Sequence, residues 1–224
     1  MAALLSGAEA TKGLYAGVLA VGLTFGLALA LAIHIFGKIS GGHYNPAVTT
    51  ALLATRRIAL NDALVYYVAQ IAGAAVAALI QYILLEGMLI TAKAGSASFS
   101  GAVIAEILGT FLLASVIFGV AVDGRAPSGW APLMIGLAIP VGALALGPIS
   151  GGSFNPAVSL GPRLVATLVG KEAVWGDMLI YIIGPLAGAL LVVFLYDFVA
   201  QPRTVSAPVE KALNAEPTVG KGRK

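Results

Sequence analysis

The sequence ISGGHYNPAV occupies residues 39–48, and a near copy, ISGGSFNPAV, occupies residues 149–158. Each copy follows an apolar run long enough to cross a bilayer and leads into an apolar stretch that is too short to cross one. Within each copy, Asn is a favoured N-cap, Pro is favoured at the first helical position, and Ala propagates a helix. The two copies therefore predict two short helices that begin inside the membrane.

Irregular backbone at membrane depth is tolerated only where it is buried in protein or lines an aqueous cavity. A half-helix that begins at Asn45 or Asn155 would point its free N–H groups and its positive dipole end at the preceding loop. A single Asn-Pro pair is more often an ordinary turn. Because both copies share Ser-Gly-Gly and the same position relative to apolar runs, the re-entrant interpretation is favoured here.

The segments HYNPAVT and SFNPAVSLGP resemble the paired signatures of the aquaporin (major intrinsic protein) family. The resemblance extends from about residue 13 to residue 200. It implies an all-α membrane protein, built as an inverted repeat, whose two re-entrant half-helices meet at the Asn-Pro-Ala motifs. It also implies a passive channel for water and small neutral solutes, a homotetramer with one pore per subunit, and a location in the plasma membrane.

Composition places the chain in the membrane class. Hydrophobic residues make up 59% of the 224 residues, charged residues make up 10%, and the mean hydropathy is +0.96. The absence of cysteine excludes thiol and disulfide chemistry, and a net charge of +3 is too small and scattered to indicate nucleic-acid binding. No metal or cofactor is expected. The five segments apolar enough to span a bilayer are residues 13–36, 60–85, 100–122, 130–148 and 176–199.

The chain is a tandem repeat with unequal units. The second unit, residues 98–200, has a leading helix, a motif-bearing helix and a closing helix, whereas the first unit, residues 13–97, has only the last two. The family's six spans thus become five, with residues 1–12 forming the end of the missing first helix or an outer loop. A gene start placed too late or a truncated fragment is favoured over a naturally shortened protein. Residues 201–224 are expected to form a disordered cytoplasmic tail.

The Lys and Arg residues predict the orientation. With the family's loop arrangement, nine lie on the cytoplasmic side and four on the other side, in agreement with the positive-inside rule, so the C-terminus is expected in the cytoplasm. The nine are Lys38, Arg56, Arg57, Arg125, Arg203, Lys211, Lys221, Arg223 and Lys224, and the four are Lys12, Lys93, Arg163 and Lys171.

The two motifs are expected to form the centre of the pore. The side-chain amides of Asn45 and Asn155 would donate to a passing water, so that its own hydrogens point outward and proton hopping along the water file is interrupted. The two positive helix ends would also repel cations. The predicted motif residues are Asn45, Pro46, Ala47, Asn155, Pro156 and Ala157.

Two further polar residues are expected to support or line these loops. Glu106 lies in an otherwise apolar helix, where an ionisable residue is costly and usually functional. By the resemblance, its carboxylate would accept hydrogen bonds from backbone N–H groups of the second loop; a carboxylate near the outer interface is the plainer alternative. The counterpart of Glu106 would lie in the missing helix. His43 matches a loop histidine that is common in the family.

The expected selectivity filter departs from that of orthodox water channels, which narrow at an aromatic residue, a His, a small residue and an Arg. The loss of the His and the Arg predicts a wider and less polar filter that passes urea, ammonia or hydrogen peroxide with water. Whether glycerol also passes is left open. Aligned on the motifs, the four filter positions are Phe25, Ala143, Gly152 and Val158. Four marker positions that mix features of water channels and glycerol facilitators are Ser159, Arg163, Tyr181 and Ile182.

Three other functions are weighed against a channel. A non-conducting structural protein of the same fold, or a truncated remnant of it, would account for the missing helix. A secondary transporter can also use inverted repeats, but coupling usually needs ionisable residues at the midplane, where Glu106 and His34 are the only candidates. An enzyme is disfavoured, because the sequence has no paired carboxylates at useful spacing and no nucleophile with a base.

Overall fold

The computed structural model describes residues 8–95, 97–127 and 129–200. The predicted tail, residues 201–224, lies outside the described residues. Within the described ranges the chain forms seven α-helices, and a π-helical turn, Phe118–Val122, continues the fourth. The helices are α1 (Ala8–Ser40), α2 (Pro46–Ala54), α3 (Leu60–Leu84), α4 (Phe99–Ile117), α5 (Ala131–Ser150), α6 (Pro156–Leu168) and α7 (Met178–Ala200).

Five of these helices are long and apolar enough to cross a membrane: α1, α3, α4 with its π-helical turn, α5 and α7. This confirms the predicted all-α membrane protein with five spans. The other two, α2 and α6, have 9 and 13 residues. At a rise of 1.5 Å per residue they are about 14 and 20 Å long, too short for a hydrocarbon core of about 30 Å. They are half-helices.

Both half-helices begin where the sequence predicts. The Asn45 side chain accepts a hydrogen bond from the Ala47 N–H at 2.9 Å, and the Asn155 side chain accepts one from the Ala157 N–H at 3.0 Å. Pro follows each cap at the first helical position, where its missing N–H costs nothing. Local capping chemistry therefore determines both starting points.

The central crossing of the fold joins α1 to α5 through glycine. A Cβ added to Gly26 would lie 2.3 Å from the Gly136 carbonyl oxygen, and one added to Gly136 would lie 2.4 Å from the Gly26 carbonyl oxygen. No larger residue fits at either position, so the two backbones touch. Small residues commonly allow such close packing in membranes. Around this pair, α4 packs on α5 and α7, α3 packs on α6, and α2 packs on α7.

The two units are packed unequally. In the second unit, a Cβ on Gly188 of α7 would lie 2.3 Å from the Ile107 carbonyl oxygen of α4. In the first unit, no atom of the described residues lies within 4 Å of a Cβ added to the corresponding Gly73 of α3. Among the described residues, no helix covers the side of α1 and α3 that corresponds to the side of α5 and α7 covered by α4. As a result, the buried residues of α3 are Ala63 and Ala78 alone.

Candidate pore site

The loops that precede α2 and α6 share one backbone conformation. Gly42 and Gly152 have φ angles of 64° and 63°, and Tyr44 and Phe154 have φ angles of 47° and 51°. The left-handed region suits glycine, but a bulky aromatic residue there costs about 1–3 kcal/mol and needs support from its surroundings. The two copies of the sequence therefore adopt the same backbone conformation, and in each loop the aromatic residue is the strained position.

The two motifs are joined by reciprocal hydrogen bonds. Asn45 Nδ2 donates to the Phe154 carbonyl at 2.8 Å, and Asn155 Nδ2 donates to the Tyr44 carbonyl at 2.8 Å. Each amide oxygen caps its own helix, so each side chain still has one N–H for a molecule in the cavity that both asparagines line. These cross-loop bonds are not among the features predicted from the motifs, although the repetition of the motif is a signal for such a symmetric pair.

A cavity of about 1650 Å³ is lined by residues of both loops and of both half-helices. It brings together all four predicted filter residues, the two motif asparagines and His43. The other motif residues, Pro46, Ala47, Pro156 and Ala157, are buried behind its wall. The filter positions contribute an aromatic ring, a methyl group, a glycine and an isopropyl group, so none offers a side-chain hydrogen-bond donor. The filter residues are Phe25, Ala143, Gly152 and Val158.

Glu106 holds the second loop from behind. Its side chain is 0% exposed. One carboxylate oxygen accepts from the Ser150 hydroxyl at 2.7 Å and the Ser153 N–H at 3.0 Å, and the other accepts from the Phe154 N–H at 2.6 Å. A buried carboxylate is tolerated when it is hydrogen-bonded in this way. The Tyr181 hydroxyl donates to the Ser150 carbonyl at 2.7 Å and closes the cluster.

The first loop is supported by side chains of its own unit. His43 Nδ1 lies 3.1 Å from the Thr49 hydroxyl, which also accepts from Gln70 Nε2 at 2.9 Å. The His43 ring lies 4.5 Å from the Tyr66 ring, and the Tyr66 hydroxyl donates to the Ser40 carbonyl. Within the described ranges, no carboxylate accepts from this loop. The support is polar, and the part of the chain that the structure describes has no counterpart of Glu106 in it.

Comparison with known proteins shows which family has this arrangement of loops and half-helices. The sequence profile of the major intrinsic protein family matches residues 1–196. The chain belongs to the major intrinsic protein family. It is therefore an integral membrane channel of the aquaporin class, for water or glycerol-like solutes, and not an enzyme.

The similar proteins include one named as an aquaporin and one named as a glycerol uptake facilitator. The chain is 41% identical over 189 residues to the probable aquaporin AqpM of Archaeoglobus fulgidus, covering 81% of this chain and 76% of that protein. It is 41% identical over 184 residues to glycerol uptake facilitator protein-like 6 of Lactiplantibacillus plantarum, covering 79% and 83%. The aquaglyceroporin structure from Plasmodium falciparum superimposes with a TM-score of 0.74 at 27% identity, covering 83% of this chain and 84% of that one.

Arg163 is a buried charge of this major intrinsic protein. Its position in the sequence predicted an outer residue, but it is 1% exposed and forms an ion pair with Asp177 at 2.7 Å. It lies in α6, directly behind Val158 and Pro162 of the cavity wall. Two of its hydrogen-bond partners, Thr91 and Ala92, lie more than seventy residues earlier in the chain, so no local pattern indicated its burial.

A second ion pair lies after the π-helical turn, at the opposite end of the cavity. Arg125 Nη2 lies 2.5 Å from Asp123 Oδ2, and the Arg125 side chain is 69% exposed. The Tyr196 hydroxyl donates to the same carboxylate at 2.6 Å. Hydrogen bonds from the Arg125 side chain, and then from Tyr196, hold the pKa of Asp123 well below its usual range. This carboxylate stays ionised at physiological pH.

Proposed function

We propose that this chain conducts water together with slim neutral solutes, namely urea, ammonia and hydrogen peroxide, with glycerol at the upper limit of size. One observation carries the proposal: Asn45 and Asn155, tied to each other's loops at 2.8 Å, line a single cavity at the N-termini of two opposed half-helices. Two amide donors and two positive helix ends favour neutral, hydrogen-bond-accepting molecules over cations.

Proton exclusion follows from the same geometry. A water that accepts from both asparagines turns its own hydrogens away from the motif, in opposite directions along the file. Proton hopping needs an unbroken chain of donors, and this orientation interrupts it. Asn45 and Asn155 are the residues we assign to this role, while Pro46, Ala47, Pro156 and Ala157 hold the helix starts.

The solute range is inferred from the filter positions. Phe25, Ala143, Gly152 and Val158 line the cavity without a side-chain donor or a charge. Passing solutes would then bind the loop carbonyls and the asparagine amides, and the filter would select by width more than by polarity. The names of the similar proteins, an aquaporin and a glycerol uptake facilitator, support a range wider than water alone.

Assembly and orientation are part of the proposal. We infer a homotetramer with one pore per subunit, in the plasma membrane, with the C-terminus in the cytoplasm. The bias of nine positive residues against four supports this orientation. The domain division at residues 97 and 98, with the tail from residue 201, stays a prediction.

The test is osmotic shrinkage of proteoliposomes, followed by light scattering with sucrose and urea gradients. We expect fast water flow with a low activation energy, together with measurable urea flow. In Val158→Arg, a long cation should narrow the filter and lower urea permeability about tenfold, which corresponds to about 1.4 kcal/mol of added barrier. Val158→Leu is the control for added bulk without charge. Urea flow that is unchanged in Val158→Arg would refute the filter assignment.

A second candidate is a non-conducting membrane protein of the same fold. Two observations favour it: no described atom lies within 4 Å of a Cβ on Gly73, and Tyr44 is 36% exposed where its counterpart Phe154 is 0% exposed. Among the described residues no helix equivalent to α4 packs behind the first loop, and in this candidate the pore stays unformed for that reason. Shrinkage of the protein-containing liposomes that is no faster than that of empty liposomes would support this candidate and refute the channel.

A further inference from the structure

Arg163 uses every hydrogen-bond donor that its side chain has. A guanidinium carries five N–H groups, and all five point at an acceptor here. The five acceptors are the Val174 carbonyl (2.7 Å, from Nε), the Thr91 hydroxyl and the Ser159 carbonyl (2.9 and 2.8 Å, from Nη1), and the Ala92 carbonyl and Asp177 Oδ1 (3.0 and 2.7 Å, from Nη2).

These acceptors belong to three separate parts of the chain. Ser159 lies in α6 itself, and Val174 and Asp177 lie just before α7. Thr91 and Ala92 belong to the crossing segment, which we define as residues 88–95 between α3 and α4. One side chain therefore joins α6, the start of α7 and the crossing segment.

The crossing segment forms part of the cavity wall. Thr91 and Ala92 line the cavity, as do Val158 and Pro162 of α6. We call the end of the cavity lined by these four residues the α6 mouth. The segment also covers the second loop, since a Cβ on Gly151 would lie 2.7 Å from the Lys93 carbonyl oxygen.

Among the described hydrogen bonds, those of Arg163 are the only ones that connect the crossing segment to α6. The other bonds of the segment run to different elements: Ile90 N–H donates to Gln81 Oε1 at 2.8 Å, and Gly95 N–H donates to the Ile149 carbonyl at 3.2 Å. The distance between the two walls of the α6 mouth therefore depends on Arg163.

We propose that Arg163, paired with Asp177, is a positioning residue that sets the width of the α6 mouth and thereby its discrimination between water and larger neutral solutes. This inference rests on the proposed channel function. Arg163 does not touch the solute; it acts through Thr91 and Ala92, which do line the path. Because Asp177 neutralises its charge, the pore wall beside Val158 stays free of net charge.

Lysine is the informative substitution. Arg163→Lys keeps the positive charge and the ion pair with Asp177, but an ammonium has three donors at one point and cannot reach acceptors on three segments at once. The fold should survive, while the crossing segment loses its bonds to α6. A role limited to charge balance would be preserved in this variant, and the positioning role would not.

The experiment compares wild type, Arg163→Lys and a matched control in proteoliposomes. Arg125→Lys is the control, because Arg125 also pairs with an aspartate but is exposed and lies at the opposite mouth. We expect the ratio of urea to water permeability to change about tenfold in Arg163→Lys, the size of one lost hydrogen bond to a charged group, and to stay constant in the control. An unchanged ratio in Arg163→Lys overturns the proposal.

A second readout does not need conduction. The chain has no cysteine, so a spin label on Lys93→Cys reports the crossing segment alone. We expect a restricted label in the wild-type background and a mobile one with Arg163→Lys. Equal mobility in both overturns the positioning role even if the wild type conducts. If the wild type conducts no water, the proposed function fails, and a mobilised label still supports Arg163 as the residue that positions the mouth.

Discussion

The loop before α6 and the loop before α2 have the same backbone but different support. Phe154 in the second loop is 0% exposed, whereas Tyr44 in the first is 36% exposed. Behind the second loop, Glu106 accepts three hydrogen bonds from residues 150–154. Among the described residues, the first loop is held instead by uncharged side chains of its own unit, namely His43, Thr49 and Tyr66.

This difference in support distinguishes the features that determine the backbone conformation of a loop from the features that stabilise it. Both loops reach φ angles near 50° at the aromatic residue, although among the described residues only the second loop has a carboxylate behind it. The shape therefore comes from features they share: the glycines, the asparagine caps and the cross-loop bonds. The carboxylate and the packing of α4 add stability to a conformation that is already specified. The following predictions test this separation.

The largest effect is expected from Glu106→Ala. The substitution leaves the Ser150 hydroxyl and two backbone N–H groups buried without an acceptor, at a cost of about 3–5 kcal/mol. Thermal unfolding in detergent should show a much lower Tm, and water permeability should fall with it. Thr49→Val, which removes the corresponding support of the first loop, should cost about 1–2 kcal/mol. Equal losses in the two variants would contradict the comparison.

Two glycines at corresponding positions of α7 and α3 test the difference in helix packing between the two units. Gly188→Ala places a methyl group 2.3 Å from the Ile107 carbonyl oxygen and should destabilise by about 1–3 kcal/mol through overpacking. Gly73→Ala, at the corresponding position of α3, meets no atom of the described residues within 4 Å, and the better helix propensity of alanine should make it neutral or stabilising by up to about 1 kcal/mol. Detergent unfolding curves measure both. A large loss in Gly73→Ala would show that its face is covered.

The motif asparagines should instead behave alike. Asn45→Ala and Asn155→Ala each remove one helix cap and one cross-loop bond, so each should cost about 1–2 kcal/mol. Proton leak, followed with a pH-sensitive dye trapped in the liposomes, should rise in both. If only Asn155→Ala changed the leak, the reciprocal bonds would not be the shared element that we infer.

The smallest effects belong to the two tyrosines that donate to the loops. Tyr181→Phe removes a buried bond to the Ser150 carbonyl and should cost about 1 kcal/mol. Tyr66→Phe removes the corresponding bond to the Ser40 carbonyl, which is exposed to solvent. This substitution should cost only about 0.3 kcal/mol of stability. The difference is measurable as a shift in Tm. A larger shift in Tyr66→Phe would mean that the first loop depends on this bond more than the second loop depends on Tyr181.

Much of the architecture could be predicted from the repeated sequence. The starts of α2 and α6, the five spans and the family follow from residues 39–48 and 149–158 and from hydropathy. The unequal units also follow, because the given sequence has one apolar run fewer in its first unit than in its second. The site residues were named from the motifs, and the structure places the filter positions, the motif asparagines and His43 on one cavity, with Glu106 behind the second loop.

Other features depend on partners that are far apart in the chain. The bonds of Asn45 and Asn155 reach across more than a hundred residues, and Arg163 reaches back to Thr91 and Ala92. Caps and spans could be derived from sequence because capping bonds form within a few residues and hydropathy is a property of composition. The cross-loop bonds and the burial of Arg163 arise only when packed helices bring distant donors and acceptors within 3 Å, and no local pattern encodes that approach.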